Sequence, residues 1–160
     1  MSKYKFFLGI TIYLFFFSLN LKADEIKKNC DLIGAKTVNF KSSSERECLK
    51  KCQSEASCQG MVFISGWKRC FLLDKIKREA SLRMFSGEKG GKGKYNHDYS
   101  GKDLKRLAFS KKSKCQQACK EDKDCIGYTY LEGYRDCWIK NTRGKLFEKT
   151  FYCWQKQMQK

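Results

Sequence analysis

The sequence predicts an α+β protein made of two small disulfide-stapled modules, each a short helix packed on an antiparallel hairpin or larger sheet. Three observations carry this. The chain has ten cysteines, and the spacing Cys48-x3-Cys52-x5-Cys58-x11-Cys70 returns 67 residues later as Cys115-x3-Cys119-x5-Cys125-x11-Cys137. The same offset superimposes Gly60 on Gly127, Gly66 on Gly133, Gly34 on Gly101 and Asp31 on Asp98, so positions read as turns repeat along with the sulfur. The third observation is a leader, residues 1–23: Lys3 and Lys5, an apolar run over residues 6–17, then a small residue, Ala23, at the cut.

That apolar run is shorter than the roughly 17 to 25 residues a spanning helix needs, so it reads as a secretory signal peptide. The rest of the chain is expected outside the cytosol, extracellular or periplasmic, with no stable membrane span once the leader is cut. Thiols exported to an oxidising compartment pair with each other. Zinc is not expected: x3 fits a metal knuckle, but x5 and x11 supply no second one and His97 is the only histidine. A repeat of 67 residues is too small to depend on its core alone, and a bridge closing a loop the size of Cys48 to Cys70 contributes about 3 kcal/mol in the chain-entropy account.

In chain order, Ser44-x-x-Glu47 reads as a capping box opening a short helix that carries Cys48, Leu49 and Cys52 on one face. In the second repeat Ser113 with Gln116 is expected to cap a helix bearing Cys115, Ala118 and Cys119. Each helix is followed by Cys-x-Gly and a run rich in β-branched and aromatic residues, Met61-Val62-Phe63-Ile64 and Tyr128-Thr129-Tyr130-Leu131, which predicts strands. Gly66 and Gly133 supply the turns, and Cys70-Phe71-Leu72-Leu73 and Cys137-Trp138-Ile139 return.

Side chains four apart on a helix hold their Cβ atoms about 5 to 6 Å apart, beyond the roughly 3.5 to 4.5 Å of a disulfide. Cys48 and Cys52 therefore do not bond each other. The simplest solution ties each helix to its exit loop, Cys52 to Cys58 and Cys119 to Cys125, and to the returning strand, Cys48 to Cys70 and Cys115 to Cys137.

Taken together, the helical Cys-x3-Cys, the Cys-x-Gly-aromatic-x-aromatic strand and the Cys-aromatic-apolar return resemble the PAN/apple domain family over nearly all of residues 28–155. Cys125-Ile-Gly-Tyr-Thr-Tyr and Cys137-Trp-Ile-Lys are the most specific segments. The resemblance implies a curved antiparallel sheet cradling the helix, with the same two bridges. It divides the chain into the signal peptide (1–23), module one (24–88), a Gly/Lys linker (89–94) within a stretch from Ser86 to Lys94 that reads as flexible, and module two (95–160). The family's third bridge, between first and last strands, is split here: Cys30 lies opposite His97, and Cys153 opposite Ser86. Cys30 and Cys153 can clamp the tandem within one chain, join two chains, or stay free. The even total favours the clamp, which an exchange of end strands between the modules would permit.

The formal net charge is +17, and removing Lys3, Lys5 and Lys22 with the leader leaves +14. Such charge speeds encounter with polyanions. It is dense in residues 89–114, where Lys92, Lys94, Lys102, Lys105, Arg106, Lys111 and Lys112 are the candidate anion contacts. Lysine predominates, so such binding is loose and salt-sensitive. Export excludes a nucleic-acid partner. Trp67 and Tyr134 occupy equivalent hairpin turns and are the candidates for stacking on a sugar or another ligand, whereas Phe63, Tyr128, Tyr130 and Trp138 read as core. His97 has no nucleophile arranged beside it and Asp122 and Asp124 sit in a polar turn, so no catalytic residue and no cofactor are expected. The resemblance implies a secreted, non-enzymatic recognition or adhesion protein with a carbohydrate or protein ligand; the charge offers a binder of anionic polysaccharide or membrane surface as the alternative.

Overall fold

Twelve strands and two α-helices follow one another in the computed structural model, which describes residues 25–108, 111–142 and 144–157. The signal peptide expected over residues 1–23 lies outside them. Repeat one contains β1 (Lys27–Lys28), β2 (Cys30–Lys41), α1 (Glu45–Ser54), β3 (Gly60–Ile64), β4 (Arg69–Ser81) and β5 (Arg83–Glu88). Repeat two contains β6 (Gly93–Tyr95), β7 (His97–Tyr99), β8 (Asp103–Leu107), α2 (Lys112–Glu121), β9 (Gly127–Glu132), β10 (Asp136–Lys140), β11 (Leu146–Glu148) and β12 (Phe151–Gln155). Shifting by 67 residues lays α1 on α2, β3 on β9 and β5 on β12. It lays β2 on β7 and β8 together, and β4 on β10 and β11. Even the left-handed residues coincide, Asn29 (φ 58°) with Asn96 (φ 56°) and Lys68 (φ 47°) with Arg135 (φ 59°).

The strands do not sort by repeat. One sheet runs β1-β12-β3-β4-β2 and the other β6-β5-β9-β10-β8, with β11 and β7 forming a separate pair. The last strand of each repeat has thus crossed to the other: β12 pairs with β3, Cys153 opposite Val62, and β5 pairs with β9, Ser86 opposite Thr129. Residues 86–94, expected from composition to be flexible, are instead the end of β5, a tight turn and β6, with Ser86 opposite Lys94. The segment satisfies its backbone in the second sheet, which overrides its glycine content.

Period-two alternation makes four layers. In β3, Met61 and Phe63 face α1 while Val62 and Ile64 face the other sheet; in β9, Tyr128 and Tyr130 face α2 while Leu131 faces inward. Each helix covers the outer face of one sheet, and the inner faces meet over Leu32, Val62, Leu73, Leu82, Met84 and Leu131. Gly133 (φ +92°) sits where this meeting is tightest, since a Cβ there would lie 2.0 Å from the Ser81 carbonyl oxygen of the opposing repeat.

All ten cysteines are bonded: Cys48–Cys70, Cys52–Cys58, Cys115–Cys137 and Cys119–Cys125 within the repeats, and Cys30–Cys153 between them. The exchange of β5 and β12 brings Cys153 beside the start of β2. At the matched place in the second sheet the Ser86 hydroxyl lies 2.8 Å from the His97 carbonyl oxygen.

The helix starts differ. Ser44 accepts from the Glu47 N–H at 3.2 Å, and the Glu47 carboxylate accepts from the Ser43 N–H at 2.6 Å, completing the box one residue upstream of its usual donor. Bonds to the Ser43 hydroxyl and backbone hold that carboxyl below the ordinary glutamate range. In repeat two the expected Ser113 cap does not form: the helix opens at Lys112, and Lys111 in the cap position offers no side-chain acceptor. The fixed 67-residue register of two bridges sets that start, and Lys111 stands where Ser44 would.

Candidate ligand-binding cleft

Between the two sheets the inner layer opens into a cleft of about 630 Å³. Repeat one and the exchanged strands line it with Val62, Ile64, Phe71, Met84 and Phe151 together with Asp31 and Lys36; repeat two lines it with Leu131 and Trp138 together with Asp98, Thr129, Lys140 and Lys149. Trp67 and Tyr134 both line it. Trp67, on a single 3-10 turn of residues Ser65–Trp67, is 54% exposed.

Each turn aromatic reaches across to the other repeat. The Tyr134 hydroxyl donates to the Asp31 carboxylate. Burial first, and then that bond, push the phenol well above the usual tyrosine range. At the matched place, Lys149 lies 3.8 Å from the centroid of the Trp67 ring and donates to Asp98 at 2.8 Å. Asp31 and Asp98, read from sequence as turn positions, are instead buried strand residues that receive these contacts. Each has its carboxylate satisfied, which is what holds an acid in an interior.

Asp98 is the centre of a buried polar network. Thr129 donates to its Oδ1 at 2.8 Å, and Lys140 Nζ lies 3.7 Å from the same oxygen and 2.8 Å from Asp103. The Ser86 hydroxyl, 2.8 Å from both the Thr129 hydroxyl and the His97 carbonyl, has one proton to share between them. Burial lowers the Lys149 ammonium below its ordinary range, against the pull of Asp98. At the mouth, Arg106 pairs with Asp136 at 2.7 Å and lies 5.8 Å from the Trp138 ring centroid. A cleft with aromatic faces, carboxylates, hydroxyls and ammonium groups can stack on a ring and exchange hydrogen bonds with it.

The remaining basic candidates do not converge. Lys92 and Lys94 lie on the β5–β6 hairpin at one edge of the second sheet, while Lys105 and Arg106 lie on β8 at the other, with Lys102 just before it. Lys111 precedes α2, and Lys112 is occupied within the protein, donating to the Tyr95 hydroxyl at 2.8 Å with its ammonium 4.7 Å from the Phe85 ring centroid. The run that is continuous in sequence is thus divided by the sheet it builds. His97 holds the Tyr95 carbonyl 2.7 Å from its Nδ1. Sequence reasoning missed Lys140, Lys149 and Thr129, although the repeat itself carried the signal: each is polar where the 67-residue offset places Leu73, Leu82 and Val62.

The PAN domain family matches residues 25–90 and again residues 97–140. The chain is similar to the major microneme antigen of Sarcocystis muris, 26% identical over 122 residues, a match covering 69% of this chain and 49% of that relative. The match thus spans about half the length of that relative. A search of solved structures finds the two N-terminal apple domains of Toxoplasma gondii microneme protein 4, at 19% identity over 80% of this chain and 85% of that one, with a TM-score of 0.27. With two family matches in tandem, on repeats that share helix, hairpin and bridges, the chain is a tandem PAN/apple-domain protein.

Proposed function

We propose that this protein is a secreted, non-enzymatic recognition protein of the adhesion type, and that its ligand, a carbohydrate in the reading best supported, enters the cleft between the sheets. The observation that carries this is the convergence of Trp67 and Tyr134, from different repeats, on one cleft beside Asp98, Lys140 and Lys149. Exposed aromatic surface next to acceptors and ammonium donors suits a ring bearing hydroxyls. Family membership and the resemblance to a microneme antigen support adhesion, and five disulfides support an oxidising compartment.

The test is a glycan array, with a pull-down in parallel under non-reducing conditions, using the exported protein and its Trp67→Ala variant. Specific retention that falls roughly tenfold or more in Trp67→Ala is expected. A blank in both formats overturns the proposal, as does retention indifferent to Trp67. Retention on heparin that collapses with salt and leaves Trp67 without effect supports the charge-driven alternative instead.

A further inference from the structure

On the outer face of repeat two, between α2 and the β5–β6 hairpin, lies a second hollow of about 640 Å³ lined by Glu88, Gln116, Gln117, Lys120, Glu121 and Tyr128. The matched place on the first sheet keeps only a smaller hollow, of about 240 Å³ and walled by Trp154, because its other positions are filled. There Trp154 packs against Met61 and Leu49 in the layer between helix and sheet. The 67-residue offset replaces Trp154 with Gly87, Met61 with Tyr128 and Leu49 with Gln116. One large ring has been deleted and two apolar neighbours have become hydrogen-bonding groups.

Gly87 is required for the opening, since a Cβ there would lie 2.6 Å from the Tyr128 hydroxyl. Tyr128 is only 2% exposed, yet among the described residues its hydroxyl completes no hydrogen bond, although Gln116 is close enough to weigh on its ionisation. A buried hydroxyl without a partner is costly. Burial also raises the phenol above its ordinary range, so it stays a neutral donor at physiological pH. Around it stand two carboxamides, two carboxylates and one ammonium, with Gln117 donating to Glu121 at 2.7 Å.

We infer that this hollow is a second binding site, distinct from the inter-sheet cleft, for a neutral polyhydroxylated ligand of about one sugar ring, with the Tyr128 hydroxyl at its floor. Carboxylates at the rim accept from vicinal hydroxyls and the carboxamides both accept and donate, while two carboxylates against one ammonium give the lining a net negative charge that disfavours an anion. The volume lies within the usual range of small-ligand pockets, roughly 300 to 1,000 Å³.

The experiment titrates the isotope-labelled, disulfide-bonded protein with a set of methyl hexopyranosides and follows amide and Gln side-chain resonances. Shifts at residues 87–91 and at Gln116, Gln117 and Glu121 are expected, with binding about threefold to tenfold weaker in Tyr128→Phe, which removes one hydrogen bond and little volume. The paired change Gly87→Trp with Tyr128→Met restores the filling of repeat one and is expected to abolish them. Trp67→Ala is expected to leave them unchanged, which separates this site from the cleft. No shift in this region with any of the glycosides, or shifts indifferent to Tyr128→Phe, overturns the inference even where the cleft binds.

Discussion

Counting each exchanged strand with the sheet it completes, at five matched positions the interior of repeat one is apolar or bears sulfur while that of repeat two is polar: Cys30 against His97, Val62 against Thr129, Leu73 against Lys140, Leu82 against Lys149, and Cys153 against Ser86. The backbone is the same at all five. Repeat one spends them on a disulfide and packed hydrocarbon, which are stabilising without any need for exact partners. Repeat two spends them on hydrogen bonds and ion pairs that gain little net stability once desolvation is counted but place chemistry in a cleft. The outer faces repeat the contrast, Trp154 against Gly87. Strand exchange makes this division workable, because the clamp in one sheet also anchors the other: β5 and β12 each leave their own repeat.

The largest effect should come from the clamp. Cys30→Ala with Cys153→Ala opens a loop of 123 residues, and the chain-entropy account gives a loss of about 5 kcal/mol in guanidinium unfolding. A loss no greater than that from Ser86→Ala would mean that the two sheets are closed by the same forces. Next is Lys149→Leu, which copies Leu82 and removes one partner from buried Asp98; a cost of about 3 kcal/mol is expected, with much of it recovered when Asp98→Asn is added.

Tyr134→Phe should cost about 1.5 to 3 kcal/mol near neutrality by leaving Asp31 short of a donor. The Tyr134 phenol is raised in the folded protein above the 10.0 of a free tyrosine. Its contribution is therefore complete below pH 10 and lost as pH rises from there through the folded value, so the gap between parent and variant should narrow at alkaline pH. The smallest effect is at the helix starts: Ser44→Ala should cost about 1 kcal/mol, and Lys111→Ser should gain a comparable amount where no cap exists. Equal responses at both helices would remove that part of the contrast.

Much of the architecture was legible because it is local. Two cysteines four apart on a helix, a third six residues on and a fourth on the returning strand leave few ways to pair, and the aromatic and β-branched runs after each Cys-x-Gly mark β3 and β9. The exchange of β5 and β12 was only hinted at by the divided Cys30 and Cys153, because the two strands are equivalents of one another and either sequence can complete either sheet. The cleft was half legible. Trp67 and Tyr134 stood out as turn aromatics, but their convergence depends on which sheet faces which. The ionic network depends on residues that only become anomalous when the repeats are compared position by position. The basic run misled for the opposite reason: adjacency in sequence became separation across a sheet.

Peptide mapping of the exported protein under non-reducing conditions tests the exchange most directly. The account predicts one fragment pair joined through Cys30 and Cys153 within a monomer, alongside four bridges confined to their own repeats. Recovery of Cys30 and Cys153 as free thiols, or as a link found only in dimers, would contradict it.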